Sequence, residues 1–263
     1  MIGVGRRGRT RAGRLALVDA FLLDHERDLL ERVDGDWRRA VVVDVGLGDR
    51  PDTTLELQAA LPWLRVIGVD HDPARVAAAR ALAPGLDARV GGFDLPLGPD
   101  EPARVVRCFN VLREYRPEQA APARRRLAAS LLEGGLLVEG SSDATGSVAV
   151  ALLCRRLAGG LAPEGLLLAT DASRGFAPRM FRDWFPRDLR RFAPGSPLRR
   201  LLDDWTRAFD ALRAGGLRDP RALFEASARA VPRIDATRAA EGRVVWRGPG
   251  PLATGSWTEP SDQ

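Results

Sequence analysis

The stretch Val41–Thr54 (Val-Val-Val-Asp-Val-Gly-Leu-Gly-Asp-Arg-Pro-Asp-Thr-Thr) limits what this chain can fold into more than any other. Four valines around one aspartate make a nearly continuous apolar run, the pattern of a strand covered on both faces of a parallel sheet. The run ends in Gly46-Leu47-Gly48, and the Thr53/Glu56 spacing behind Pro51 predicts a capped helix start. A strand, a glycine turn and a helix N-terminus together present backbone N–H groups that a ligand can approach closely.

The same alternation continues downstream. Strands are expected at Leu64–Val69, Ala88–Val90, Arg104–Phe109, Leu136–Glu139, Leu166–Thr170 and Arg243–Trp246. Helices are expected at about 14–33, 53–61, 73–83, 117–133 and 148–157. Asp72-Pro73 is a cap followed by a proline suited to the first helical position, and Gly134-Gly135 reads as a helix stop. Residues 1–13 read as a disordered basic tail, 14–247 as one domain, and 248–263 as a loose Pro/Gly/Ser tail. Within the domain, residues 172–240 read as a helical, Arg-rich lobe broken by prolines. Strands alternating with helices predict a doubly wound, Rossmann-like α/β sheet, with ligands at the carboxyl ends of its strands.

Composition narrows the class. All 40 basic residues of the 263-residue chain are arginine. Residues 1–14 hold five Arg and no acid, and residues 172–240 hold 15 Arg against 8 acids, so a basic tail and a basic lobe flank an acidic remainder. That distribution suits an anionic partner, although an arginine-only surface also reflects simple compositional bias. Two cysteines and two histidines are too few for a disulfide framework or a structural zinc site. No apolar run reaches membrane-spanning length, and Asp19 and Asp24 interrupt the one stretch placed like a leader, so a cytoplasmic location is expected.

A lone Gly-x-Gly is a weak signal. The hydride-transfer fingerprint needs a third glycine three positions beyond Gly48, where Pro51 stands instead. Five features in order are more specific: Asp44 two residues before Gly46-x-Gly48; Val66-Ile67-Gly68-Val69-Asp70 ending in an acid; Gly92-Phe93-Asp94 after the third strand; Asn110 closing the fourth; and Glu133-Gly134-Gly135 leading into the fifth. In this order they resemble the class I S-adenosylmethionine-dependent methyltransferases over residues 40–140, and more loosely over 165–247.

The resemblance implies a seven-stranded, mostly parallel sheet with an antiparallel last strand and a helical insert before it. S-adenosylmethionine would be the cofactor and S-adenosylhomocysteine the product. Asp44 would help seat the methionine amino group, Gly46 and Gly48 would admit the cofactor to the backbone, and Asp70 would accept both ribose hydroxyls. His71 would lie along the adenine or ribose, with Phe93 packing near the adenine and Asp94 accepting from its amino group. Asn110, Arg113, Tyr115 and Glu139 would form the acceptor wall, with Asn110 also touching the cofactor and Glu139 a base or acceptor ligand. Each acid also has a plain reading as a strand-end carboxylate capping nearby N–H groups. Arg50 stands where the family has a further small residue, and residues 110–115 lack the Asn/Asp-Pro-Pro-Tyr/Phe motif of enzymes that methylate nucleic-acid amines. A small-molecule or anionic acceptor is therefore favoured. An RNA- or protein-directed enzyme and a catalytically inactive cofactor-binding module stay open. The lobe aromatics Phe176, Phe181, Trp184, Phe185 and Trp205 suit a small core of their own, with a lid or substrate platform as the other reading.

Overall fold

The computed structural model describes residues 11–248. Helices α1 (Ala16–His25) and α2 (Arg27–Glu31) lead into β1 (Val41–Val45), α3 (Asp52–Ala60), β2 (Val66–Asp70), α4 (Pro73–Leu82), β3 (Asp87–Val90), β4 (Ala103–Phe109) and α5 (Pro117–Ala128). Three long strands follow: β5 (Leu131–Ser142), β6 (Val148–Leu157) and β7 (Gly160–Thr170). Short 3-10 turns, α6 (Pro197–Ala214) and α7 (Pro220–Arg229) then precede β8 (Ile234–Asp235) and β9 (Arg243–Trp246).

All nine strands form one sheet in the order β3-β2-β1-β4-β5-β6-β7-β9-β8. From β3 to β5 every pairing is parallel; from β5 onward every pairing is antiparallel. The sheet is thus Rossmann-like in its first half, and the last strand in sequence runs antiparallel to β7. The strand count is nine rather than seven. The added long strand is β6, at the place where the sequence predicts a helix. Val148-Ala-Val-Ala-Leu-Leu-Cys is apolar on both sides because both faces of the sheet are covered there, and such a run has no period that separates strand from helix. Tight turns at 143–147 and 158–159 make it the middle of a meander. Gly134 and Gly135, expected to stop a helix, lie inside β5, where Gly134 has φ +90° beside a break in the β4 register. Helix α5 ends earlier, at Ala128.

One core layer holds Val41, Val43, Ile67, Val106, Leu137, Val150 and Leu168 against α5 and the lobe. The other holds Val42, Val66, Val105, Val138, Ala151 and Leu167 against α1 and α3. The lobe aromatics form a continuous core: Phe181, Phe185, Trp205 and Phe224 are fully enclosed, and the Trp205 indole N–H donates to Ser227 Oγ at 2.9 Å. Each such ring removes about 150–250 Å² from water, so this cluster anchors the lobe to the sheet face. Cys108 of β4 and Cys154 of β6 are buried in the same layer as free thiols; burial raises both, Cys154 to about 12.

Candidate functional site

The strand order reverses between β1 and β4, the switch point at whose carboxyl ends open α/β sheets take their ligands. Gly46 and Gly48 both lie in the left-handed region, at φ +92° and +73°. A side chain at Gly46 would place its Cβ 2.4 Å from Val111 Cγ2, so close approach of the segment after β4 also demands glycine there. Gly48 N–H donates to Asp70 Oδ2 at 3.0 Å, and Asp72 N–H donates to Asp70 Oδ1 at 3.0 Å. The buried Asp70 carboxylate therefore ties the glycine turn to the end of β2. Asp72 caps α4 through Ala74 N–H at 3.0 Å, and Pro73 takes the first helical position, as the sequence predicts. His71 is exposed, its Nδ1 3.3 Å from Asp70 Oδ1.

Asp44 behaves differently from expectation. Its Oδ1 accepts from Arg107 Nε at 2.9 Å and its Oδ2 from Thr54 Oγ at 2.6 Å. Arg107 is fully buried; its other nitrogens donate to Asp19 and to the Thr53 carbonyl. Asp44 points towards α1 and α3 rather than into the crevice, because even-numbered β1 residues face that layer. Two carboxylates share one guanidinium, and burial pushes the Asp19 carboxyl up to about 6. Thr53 and Glu56 form no capping box: Thr54 is tied to Asp44, and Glu56 accepts from Gly13 N–H at 2.7 Å.

Asp94 is exposed and forms a two-point pair with Arg126 of α5, with Nε at 2.8 Å; that pairing, rather than an adenine site, sets its orientation. Phe93 is half-buried against the Tyr115 ring, centroids 5.2 Å apart. Asn110, at φ +60°, donates to Ser142 Oγ at 3.1 Å and accepts from Ser142 N–H at 3.0 Å. Its side chain clamps the ends of β4 and β5 together. Glu139 is 1% exposed and accepts from Arg124 Nη1 at 2.9 Å. Arg124 also binds Asp188 of the lobe, at 3.1 Å through Nη1. Burial pushes the Glu139 carboxyl up to about 7. It is enclosed against Arg124 of α5. Arg50 is exposed beside Asp52 at 3.3 Å.

Arg113 and Tyr115 both contact the lobe. The Arg113 guanidinium sits 5.1 Å from the centroid of the Trp184 ring, and the Tyr115 carbonyl accepts from Arg187 Nε at 3.1 Å. Arg14, from the start of the described chain, donates to the Ser142 and Asp143 carbonyls at 3.1 and 2.9 Å and so crosses the end of β5. The sequence reading missed Arg14, Arg107, Arg124, Arg187 and Arg190; only the clustering of arginines in the tail and lobe hinted at any of them. Clefts of about 380 and 440 Å³ lie elsewhere, one beside Phe21, His25 and Arg155, the other between α3 and the Ala83–Leu86 turn. Among the described residues there is no cluster of three or more His, Cys, Asp or Glu able to hold a metal, and no helix long and apolar enough to cross a membrane.

No protein-family model and no curated protein matches the chain. Solved structures do. CalS10, an amino pentose methyltransferase from Micromonospora echinaspora in its S-adenosylmethionine-bound form, aligns with 63% of this chain and 74% of its own at 25% identity and TM-score 0.38. Magnesium protoporphyrin IX methyltransferase (ChlM) from Synechocystis PCC 6803, with S-adenosylhomocysteine bound, aligns with 48% of this chain and 53% of its own at 23% identity and TM-score 0.36. LepI with S-adenosylmethionine aligns with 43% of this chain and 30% of its own at 25% identity and TM-score 0.35. The chain thus spans about a third to a half of LepI and ChlM. Overlap this partial assigns neither a substrate nor a residue's role, and the functional reading rests on the crevice itself.

Proposed function

We propose that the chain binds S-adenosylmethionine in the β1/β4 crevice and transfers its methyl group to a small-molecule acceptor. One observation carries the reading: two left-handed glycines flanking Leu47 after β1 turn the backbone so that Gly48 N–H meets the carboxylate closing β2. The Asp70 oxygens each accept one backbone N–H, with His71 Nδ1 at 3.3 Å and Arg75 Nη1 at 3.7 Å beside them. A carboxylate has about four lone-pair sites, so acceptor capacity remains for a ribose diol. Gly46, Gly48 and Asp70 would hold the cofactor, with His71 and Phe93 at its rim. Asp44 and Arg107 would fix the turn from below rather than touch the ligand.

Methyl transfer from a sulfonium asks the protein chiefly for alignment and exclusion of water, since the cofactor carries the activated group. A base is needed only where the acceptor atom still holds a proton. With Glu139 enclosed and Asn110 bound to Ser142, the wall favours an acceptor that arrives without a proton to lose. The same enclosure favours a second reading, in which the cofactor binds without turnover.

Calorimetric titration with S-adenosylhomocysteine tests the proposal. Asp70→Ala is expected to weaken binding by about 1.5–3 kcal/mol, the value of hydrogen bonds to a charged group. A folded wild type that binds neither S-adenosylhomocysteine nor S-adenosylmethionine sinks it. Binding with no methylated product across acceptor panels selects the second reading.

A further inference from the structure

The end of β5 and the segment after β4 gather arginines that have few carboxylates in direct contact. Arg113, Arg187 and Arg190 converge there from two parts of the chain. Arg113 lies over Trp184, Arg187 is held by the Tyr115 carbonyl, and Arg190 Nε donates to the Phe185 carbonyl at 2.8 Å. Arg190 Nη2 is buried and has no hydrogen-bond partner. Among the described residues neither Arg187 nor Arg190 has a carboxylate within 4 Å, and the one such partner of Arg113 is its exposed neighbour Glu114 at 3.7 Å. Elsewhere in this molecule arginines are commonly paired: Arg89, Arg107, Arg124 and Arg155 each meet two carboxylates. Burial first, then the proximity of Arg113 and Arg187, holds the Arg190 guanidinium below its usual range against the opposing pull of Asp183 and Glu139; Arg14 is lowered by burial and again by Arg113, with Asp143 opposing. Repulsion and an unmet buried donor both have the same remedy, an anion between the guanidinium groups.

We propose that Arg113, Arg187 and Arg190 form an anion-binding subsite for the carboxylate or phosphate group of a flat small-molecule acceptor, with Trp184 beside the ring. This rests on the methyltransferase reading and names its substrate class. The anion is the handle and not the reacting atom, because guanidinium pairing lowers its nucleophilicity. The handle lies next to Tyr115, whose ring packs on Phe93 just after β3, so a ring held at one end would extend towards the carboxyl ends of the parallel strands. The enclosure of Glu139 fits such a substrate: once the handle sets orientation, the wall needs no second carboxylate to do so.

The test titrates the full chain with benzoate, phenyl phosphate, inorganic phosphate and benzamide at constant ionic strength, with S-adenosylhomocysteine titrated in parallel. Saturable binding of benzoate or phenyl phosphate, absent for benzamide, is expected. Arg190→Gln and Arg113→Gln should each weaken it tenfold or more, while the exposed Arg207→Gln leaves it unchanged. Tighter binding of phenyl phosphate than benzoate identifies a phosphate handle, the reverse a carboxylate. Inorganic phosphate alone should bind more weakly than phenyl phosphate if the ring contributes. Should Arg190→Gln fail to fold, Arg113→Gln on the half-exposed wall carries the test. No saturable anion binding, or binding indifferent to both variants, overturns the subsite even if S-adenosylhomocysteine binds. Anion binding sensitive to both variants in a protein that does not bind S-adenosylhomocysteine overturns the acceptor role and the methyltransferase reading together. Steeply salt-dependent capture of RNA oligomers in preference to both small anions overturns the small-molecule assignment.

Discussion

Arg107 and Arg124 are buried on opposite faces of the same sheet, each between two acids, yet they are built for different ends. Arg107 is sealed in: β1, α1 and α3 supply its partners Asp44, Asp19 and the Thr53 carbonyl, and all three nitrogens are used. Arg124 sits at a seam. Its inner partner, Glu139, belongs to β5, and its outer partner, Asp188, belongs to the lobe and keeps 22% of its side chain in water. The first network fixes the floor beneath the glycine turn. The second fastens the lobe to the parallel half. Buried ion pairs add little net stability, but removing one partner strands the others without compensation.

The largest expected effect separates the two. Arg107→Met leaves two enclosed carboxylates facing each other and should cost about 3–5 kcal/mol in urea denaturation. Arg124→Met should cost roughly half as much, because Asp188 can turn to water and Glu139 can take up a proton. Equal losses would break the distinction. A smaller effect sharpens it through pH. Glu139 rises from its ordinary 4.5 to about 7 and Asp19 from 3.8 to about 6, both chiefly through burial. A raised carboxyl binds more protons folded than unfolded, so its contribution is complete below the unfolded value and is lost as pH rises through the folded one. Stability should therefore fall across pH 4–6 through Asp19 and across 4.5–7 through Glu139. Glu139→Gln should flatten the upper part of that fall in melting temperature, and Asp19→Asn the lower part. The smallest effect serves as control: Arg126→Gln, which breaks the exposed pair with Asp94, should leave both the midpoint and S-adenosylhomocysteine binding unchanged.

Much of the local chemistry was legible in the sequence, the Thr53/Glu56 cap and the Gly134-Gly135 stop excepted, and long-range pairing was not. The valine run, the left-handed Gly46 and Gly48, the Asp72-Pro73 cap and the acid closing β2 are each set by residues within a few positions, and each is present. The engagement of Asp44 was not legible because its partner Arg107 lies 63 positions away, and Arg107 reaches a second acid 88 positions away. Nothing near Asp44 signals that its carboxylate is taken. Asp94 and Glu139 repeat the lesson, since their arginines both come from α5. Strand β6 escaped detection for another reason: a segment covered on both faces erases the alternation that marks a strand. The expected tails fall partly outside the described residues, at 1–10 and 249–263.

The two cysteines turn the sheet into its own stopwatch. Cys108 lies in the parallel half and Cys154 in the antiparallel half, on either side of β5, both sealed from solvent and both held as unreactive thiols. An alkylating reagent can reach either sulfur only when its strand opens. The labelling rate at each position, resolved by peptide mass, therefore times each half separately. If Cys154 reacts well ahead of Cys108, the meander opens while the half carrying the glycine turn stays closed. If both react together, the nine strands open as one unit.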